Sequence, residues 1–322
     1  MECSWKVQQG YCPYSFQAGK ALLYPPLSIS WTGLRTHEIC RQRGKLIREK
    51  KKNPSQNVRG FFHGVVVDTV MRKWLENPYE SSMSSMVEQV IVEEQLNLKN
   101  RKAGVVRWKS SQDKVEMTNF CKTLVVKLEP ILEDLVLPYD YDTGHRFRVP
   151  IKVPTPDGSS AEILLTGEMD LLVRESLEDN SWAVWDLKAT ANNDYWRKTI
   201  AQLTFYDFSV RAMFGSNTTR AGLIQPMCDE QVLRTTISDA SRADLMARIV
   251  NMAHDLWKGY TPPVDDSSNC AYCEVAHACE KYKTSSPHRV PFNSLSTAKE
   301  KYNGLGPAST STETGHRTAS EI

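Results

Sequence analysis

Residues 161–188 read AEILLTGEMDLLVRESLEDNSWAVWDLK, and they contain two runs with the composition of β-strands. The runs, residues 161–173 and 182–187, are rich in β-branched and aromatic side chains. A similar run, residues 146–153, precedes them, and a turn at 154–159 that contains Pro and Gly separates it from the first. The three runs predict an antiparallel meander of three strands.

Helical patterns lie on both sides of this meander. Apolar side chains recur at the spacing of one helix face in residues 58–75, 84–98 and 117–137. After the meander, the pattern predicts a helix over 194–214, short strands at 221–226 and 231–236, and a helix that ends at Trp257 with Ser238 as its N-cap. This order predicts an α/β fold with a central mixed sheet flanked by helices.

Length and composition limit the classes of protein that are possible. The 322 residues suffice for one large domain. A net charge of +2 gives no global attraction to nucleic acid, so such binding would rely on local patches such as the basic stretch 41–52. No run approaches the roughly 18 apolar residues of a membrane span, and no secretory signal is evident. We therefore expect a cytoplasmic protein without a membrane partner.

Acidic residues end two of the predicted neighbouring strands. Asp170 ends one strand and Asp186 ends the next, so both carboxylates are expected at one edge of the sheet. Two converging carboxylates repel each other unless a cation neutralises them, and Mg²⁺ binds such oxygen ligands together with substrate phosphate. The two acids therefore predict a site for a divalent cation.

A lysine accompanies the second acid. Strand alternation places Asp186 and Lys188 on one face, with Leu187 on the other. A metal ligand beside an ammonium suits phosphodiester hydrolysis, because the metal polarises the phosphate and acidifies water while the lysine stabilises developing charge. The alternative is a surface ion pair without function.

A cysteine cluster near the C-terminus follows a metal-binding spacing. Cys270-x-x-Cys273 is followed by Cys279, in a chain whose eight cysteines are not expected to form disulfides in the cytoplasm. Thiolates are soft ligands that suit an iron-sulfur cluster or zinc. With His277 the three cysteines would form a Cys₃His zinc site, so the spacing leaves the metal open.

The order of these motifs resembles that of RecB-like exonucleases in the PD-(D/E)XK superfamily. The resemblance is carried by Gly60-x-x-His63, Gly167-x-x-Asp170, Asp186-x-Lys188 and Gln202-x-x-x-Tyr206. It implies a restriction-endonuclease-like core that binds Mg²⁺ or Mn²⁺ and has Lys188 as its catalytic lysine. The implied metal ligands are His63, Asp170, Asp186 and the Leu187 carbonyl. Gln202 and Tyr206, four residues apart, would share a helix face directed at the active site and DNA.

The resemblance extends to an iron-sulfur subset, which includes nucleases of CRISPR adaptation and of the AddB type. Their pattern is one cysteine before the nuclease motifs and three after them, spaced Cys-x-x-Cys-x5-Cys. The resemblance therefore implies a [4Fe-4S] cluster that joins both ends of the chain through Cys40, Cys270, Cys273 and Cys279. These proteins place a proline after the first cysteine, whereas Arg41 follows Cys40. Cys12, which precedes a proline, is the other candidate.

The expected organisation follows from the extent of these motifs. It is an N-terminal extension at 1–26, a nuclease domain at 27–283 with a helical insertion at about 75–144 and the cysteine cluster at 270–279, and a mostly disordered tail at 284–322. The expected function is that of a metal-dependent DNA nuclease, an exonuclease, in phage-type recombination, replication or repair or in CRISPR-linked DNA processing. Its expected location is the cytosol of a bacterium or of a phage-infected host. Its substrate would be DNA that is single-stranded or has single-stranded ends, and a helicase or recombination protein would be its partner. The alternatives are a non-catalytic DNA-binding or scaffold protein with a nuclease fold, and a zinc-binding regulatory or RNA-directed module.

Overall fold

The computed structural model describes most of the chain up to residue 279. The described residues are 16–17, 20–21, 24–49, 51, 57–101, 104–178, 180–190, 195–215, 219–264, 270 and 273–279. All of them belong to the first of two units, residues 1–279, into which the chain divides. Cys12 and the predicted tail at 284–322 lie outside the described residues.

Short strands and five helices precede the meander. They are β1 (Phe16–Gln17), β2 (Lys20–Ala21), β3 (Leu27–Ser30), α1 (Trp31–Ile39), α2 (Arg41–Arg48), α3 (Phe62–Glu76), α4 (Met83–Asn100) and α5 (Ser111–Leu135). β1 and β2 form an antiparallel pair. The basic stretch that begins at Arg41 is helical over α2.

The meander and the remaining elements complete the fold. They are β4 (Asp140–Pro154), β5 (Ser160–Ser176), β6 (Ser181–Leu187), α6 (Tyr195–Phe214), β7 (Thr219–Ile224), β8 (Val232–Thr236), α7 (Asp239–Trp257) and a 3-10 turn at Ala276–Ala278. The Ser238 side chain accepts a hydrogen bond from the Ser241 N–H and caps α7.

Strands β3 to β8 form one mixed sheet of six strands. β4, β5 and β6 are the antiparallel meander, and β8 is antiparallel to β7. β3 is parallel to β5, and β6 is parallel to β7. The predicted α/β fold with a mixed central sheet flanked by helices is confirmed.

One edge of β5 is divided between two partner strands. β4 pairs with the whole opposite edge, from Ser160 to Arg174. On the divided edge, β3 pairs with residues 163–166 and β6 pairs with residues 171–176. Among the described strands, none pairs with residues 167–170 on this edge. We call these four residues the β5 gap.

Two apolar layers cover the two faces of the sheet. Alternate residues of the strands point to opposite faces, so Leu171, Val173 and Trp185 pack against α3, α4 and α5. Leu172 and Val184 pack with α1, α6 and α7 on the other face. The sheet and the helices on its two faces hold the β5 gap at a fixed position between α3 and α6. No helix in the described part of the chain is long and apolar enough to cross a membrane.

Candidate active site

Two carboxylates lie where β5 and β6 separate. The last pair between these strands is Leu171 with Trp185, and Asp170 and Asp186 would be the next pair in the same register. Beyond that point the Leu187 N–H has no partner on β5, and it donates instead to Asp170 Oδ2 at 2.8 Å. The gap therefore leaves a backbone donor that holds the Asp170 carboxylate beside β6.

Asp186 is buried, with 1% of its side chain exposed. Its Oδ1 accepts a hydrogen bond of 2.7 Å from Gln202 Nε2. Its Oδ2 lies 2.5 Å from the Lys188 ammonium, on the face that strand alternation gives both residues, and forms an ion pair with it. Asp186 thus has one buried oxygen that contacts Lys188 and, among the described residues, accepts a hydrogen bond from no other group.

Gln202 and Tyr206 link Asp186 to the β5 gap. They lie four residues apart on α6, and the Gln202 amide also donates to the Tyr206 hydroxyl at 3.0 Å. Tyr206 in turn donates to the carbonyl of Glu168 at 3.0 Å, within the gap. Burial, together with the charges of Asp170 and Asp186, raises the pKa of Tyr206, which keeps its hydroxyl protonated as a donor. The α6 pair therefore fixes the Asp186 carboxylate relative to β5.

The two carboxylates are in an environment that disfavours their charge. Burial and the nearby charge of Asp170 together raise the pKa of Asp186 to about 7, against the opposing effect of Lys188. Burial also raises the pKa of Asp170, although the Leu187 N–H and Lys188 oppose this. Two such groups favour either a shared proton or a bound cation.

His63 lies at the same end of the sheet, in the first turn of α3. Its Nε2 is 2.9 Å from the Ala189 carbonyl oxygen, so this nitrogen is the donor, and Phe120 packs against the ring. Burial lowers the pKa of His63, which keeps the ring neutral. The structure therefore brings together Asp170, Asp186, Lys188, Gln202 and Tyr206, while the His63 ring binds the backbone two residues beyond Leu187. No three His, Cys, Asp or Glu side chains of the described residues converge as metal ligands.

Further charged residues of the site were not identified from the sequence. Asp68 and Arg72 of α3 form an ion pair of 2.8 Å, and Arg72 also contacts Glu168 at 2.6 Å. Burial raises the pKa of Asp68 to about 6, with the charge of Asp170 as the next cause. The spacing of four residues between Asp68 and Arg72 indicates a helical ion pair, but it does not show that this pair faces β5.

The cysteine segment lies against α2. The Cys40 Sγ accepts a hydrogen bond of 3.4 Å from the Arg43 N–H, and Arg43 forms an ion pair of 2.6 Å with Glu274. Burial raises the pKa of Cys273, and its neighbour Cys40 contributes to this rise. Cys40 and Cys273, far apart in sequence, are therefore close in space. Cys270 and Cys279 are partly exposed and lie on the same segment.

Comparison with known protein families places the chain in a class of nucleases. The family model of the PD-(D/E)XK nuclease superfamily matches residues 11–280, and the chain belongs to this superfamily. Solved structures that are similar to this chain include two at 12% sequence identity. One is a Eubacterium rectale protein named only provisionally as an exonuclease, with a TM-score of 0.44 over 82% of this chain and 90% of that chain. The other is SSO0001, with a TM-score of 0.30 over 68% of this chain and 96% of that chain. No curated protein shows significant similarity.

Proposed function

We propose that this chain is a metal-dependent DNA nuclease of the RecB-like branch of the superfamily, and that it degrades DNA from an end. The observation that supports the proposal most directly is the meeting of Asp170, Asp186 and Lys188 at the β5 gap. Superfamily membership supplies the reaction class, phosphodiester hydrolysis. DNA as the substrate, attack from an end and the requirement for a metal ion are parts of the proposal.

The donor set at the gap fits a hard divalent cation. Asp186 has a buried Oδ2 whose partner among the described residues is the Lys188 ammonium, and burial disfavours the charges of both Asp170 and Asp186. Mg²⁺ and Mn²⁺ prefer such oxygen ligands. We assign Asp170, Asp186 and the Leu187 carbonyl as ligands. His63 is the proposed additional ligand, a role that requires its Nε2 to leave the Ala189 carbonyl.

The chain's own side chains have distinct tasks in this proposal. When bound, the divalent ion polarises the scissile phosphate and lowers the pKa of water. Lys188 places its ammonium beside Asp186 and stabilises the negative charge that develops on the phosphate oxygens. Gln202 holds Oδ1 of Asp186, so that the other oxygen remains directed at Lys188. Tyr206 anchors Gln202 to the backbone of the gap.

A cleavage assay tests the proposal. Linear single-stranded and double-stranded DNA labelled at one end would be compared with closed circular DNA of the same sequence, with Mg²⁺, Mn²⁺ or a chelator. We expect loss of the linear substrates with either metal, survival of the circles and no reaction with the chelator. Cleavage of the circular DNA would support nuclease activity but contradict the requirement for a DNA end.

The alternative of a non-catalytic DNA-binding scaffold makes the opposite prediction. A folded protein that binds DNA but cleaves no substrate with any divalent metal would favour it. We prefer the nuclease because Asp170, Asp186 and Lys188 are all present and adjacent. A superfamily member that had lost catalysis would be expected to lack at least one of these three side chains.

We also propose that Cys40, Cys270, Cys273 and Cys279 bind a [4Fe-4S] cluster. Support comes from the proximity of Cys40 to Cys273 and from the N–H groups that approach both sulfurs, those of Arg43 and Val275. Such donors stabilise thiolates. The alternative is zinc bound by the last three cysteines and His277, whose side chain is exposed.

Spectroscopy of an anaerobic preparation distinguishes these metals. We expect a brown protein with broad visible absorption and with iron and sulfide in equal amounts. Cys273→Ser should lose the colour and much of its stability, since cluster binding and folding are coupled. Cys121→Ser is the matched control, because Cys121 is also buried but lies in α5 against Met117. A colourless wild-type protein with one zinc ion per chain would reject the cluster.

A further inference from the structure

Arg72 lies among the acidic side chains on the α3 side of the β5 gap. Its Nη2 is 2.8 Å from Asp68 Oδ2 and its Nη1 is 2.6 Å from Glu168 Oε1. The exposed Arg146 also contacts Glu168, with its Nε 2.9 Å from Oε2. The charges of Lys188 and, to a smaller extent, Arg72 oppose the rise in the pKa of Asp170. Arg72 is therefore the cation that Asp68 and Glu168 share.

The backbone of β4 leaves space for this guanidinium at one residue. Gly144 lies between Thr143 and His145, which pair with Leu171 and Met169, so it lies opposite Asp170. A Cβ at Gly144 would lie 2.0 Å from Nη1 of Arg72 and 2.6 Å from its Cζ. Its φ of +60° is also one that residues with a side chain rarely adopt. A glycine at this position is what leaves room for the Arg72 guanidinium where it contacts Asp68 and Glu168.

The charges around the gap form two groups. Asp186 has Lys188 as its cation, and Asp68 and Glu168 have Arg72. Asp68 Oδ1 is buried and accepts no hydrogen bond from the described residues, so this second group has an oxygen that a metal ion could bind if the guanidinium were absent. Arginine is permanently charged and binds carboxylates through several donors, which suits it to replace a metal ion.

We propose that the Arg72 guanidinium is the resident cation of the Asp68 and Glu168 group and restricts the gap to one divalent ion, bound by Asp170 and Asp186. This inference rests on the proposed metal-dependent nuclease and specifies how many metal ions it uses. Arg72 acts through the carboxylates that it contacts, so it is a positioning residue.

The test is the number of Mn²⁺ ions bound per full-length chain, measured from the electron paramagnetic resonance of the free ion. We expect one ion for the wild type and for Arg72→Lys, which keeps the charge. Arg72→Gln should bind two, and Arg72→Gln combined with Asp68→Asn should return to one. The turnover rate of Arg72→Gln should fall roughly 10–100-fold, as for other residues that orient metal ligands, and Arg72→Lys should recover part of it.

Gly144→Ala provides a second variant in case Arg72→Gln does not fold. The added Cβ displaces the guanidinium without removing it, so this variant should also bind two ions. Gly158→Ala is the matched control, because Gly158 has a φ of +84° but no atom within 4 Å of an added Cβ. It carries similar backbone strain and should bind one ion.

The outcomes separate this inference from the proposed function. If the wild type binds no Mn²⁺, the proposed metal site, and with it the metal-dependent nuclease, is contradicted. A wild type that binds two ions leaves the nuclease intact and overturns the role of Arg72. The role is equally overturned if the folded variants among Arg72→Gln and Gly144→Ala still bind a single ion.

Discussion

Lys188→Ala and Asp186→Asn are each expected to abolish DNA cleavage, with a fall in turnover of at least roughly 10²–10³-fold. Lys188→Ala removes the ammonium that lies 2.5 Å from Asp186 and would stabilise the transition state. Asp186→Asn removes a buried charge that we assign to metal binding, while its amide remains close in shape to the carboxylate. The measurement is the turnover of end-labelled linear DNA at saturating Mg²⁺.

Thermal unfolding shows whether the loss of cleavage reflects the missing side chain or a loss of the folded state. We expect both variants to stay folded, since Asp186→Asn relieves the repulsion between two buried carboxylates and Lys188 is partly exposed. Lys152→Ala is the control, because Lys152 is an exposed strand lysine near the hairpin end of β4. Cleavage at the wild-type rate by either site variant would contradict the assignment of the active site.

Phe205→Ala is expected to have the opposite effect, a large loss of stability with cleavage retained by the folded fraction. Phe205 is fully buried, and its ring centroid lies 6.4 Å from that of Trp31 and 6.1 Å from that of Phe147. Its removal leaves a cavity between α6 and the sheet, which should lower the free energy of unfolding by about 3–5 kcal/mol. Urea denaturation measures this loss.

Leu177→Ala is the control for Phe205→Ala. Leu177 is 66% exposed in the turn between β5 and β6, so its truncation should change the free energy of unfolding by less than about 0.5 kcal/mol. Equal losses for the two variants would mean that Phe205 does not lie in the core that supports α6.

Local patterns in the sequence predicted the meander and the cap of α7 because both depend on neighbouring residues. The limits of α3 and α5 were less accurate. α3 begins at Phe62 and not at 58, because the Val58 N–H donates to the carbonyl of Val105 in another segment. α5 begins at Ser111 and not at 117, because Ser110 caps a polar and exposed first turn that shows no apolar period.

The site could be predicted only where sequence spacing determines geometry. Asp186 and Lys188 share a face because strands alternate, and Gln202 and Tyr206 share one because helices repeat. The direction of the His63 ring depends on a carbonyl that is distant in sequence, that of Ala189. The arrangement of Arg72 depends on the pairing of β4 with β5, which no local pattern contains. These contacts required the tertiary structure.

The divided edge of β5 also constrains the order in which the chain assembles. β4, β5 and β6 are joined by short connections, so their pairing has a low entropic cost and can form early. β3 cannot pair when it is first synthesised, because Leu27–Ser30 pairs with residues 163–166, which the ribosome adds much later. Contacts of such long range slow folding. The stretch of β5 that holds the acidic residues therefore acquires its two flanking partner strands by different routes, β6 through a short connection and β3 through a contact of long sequence range.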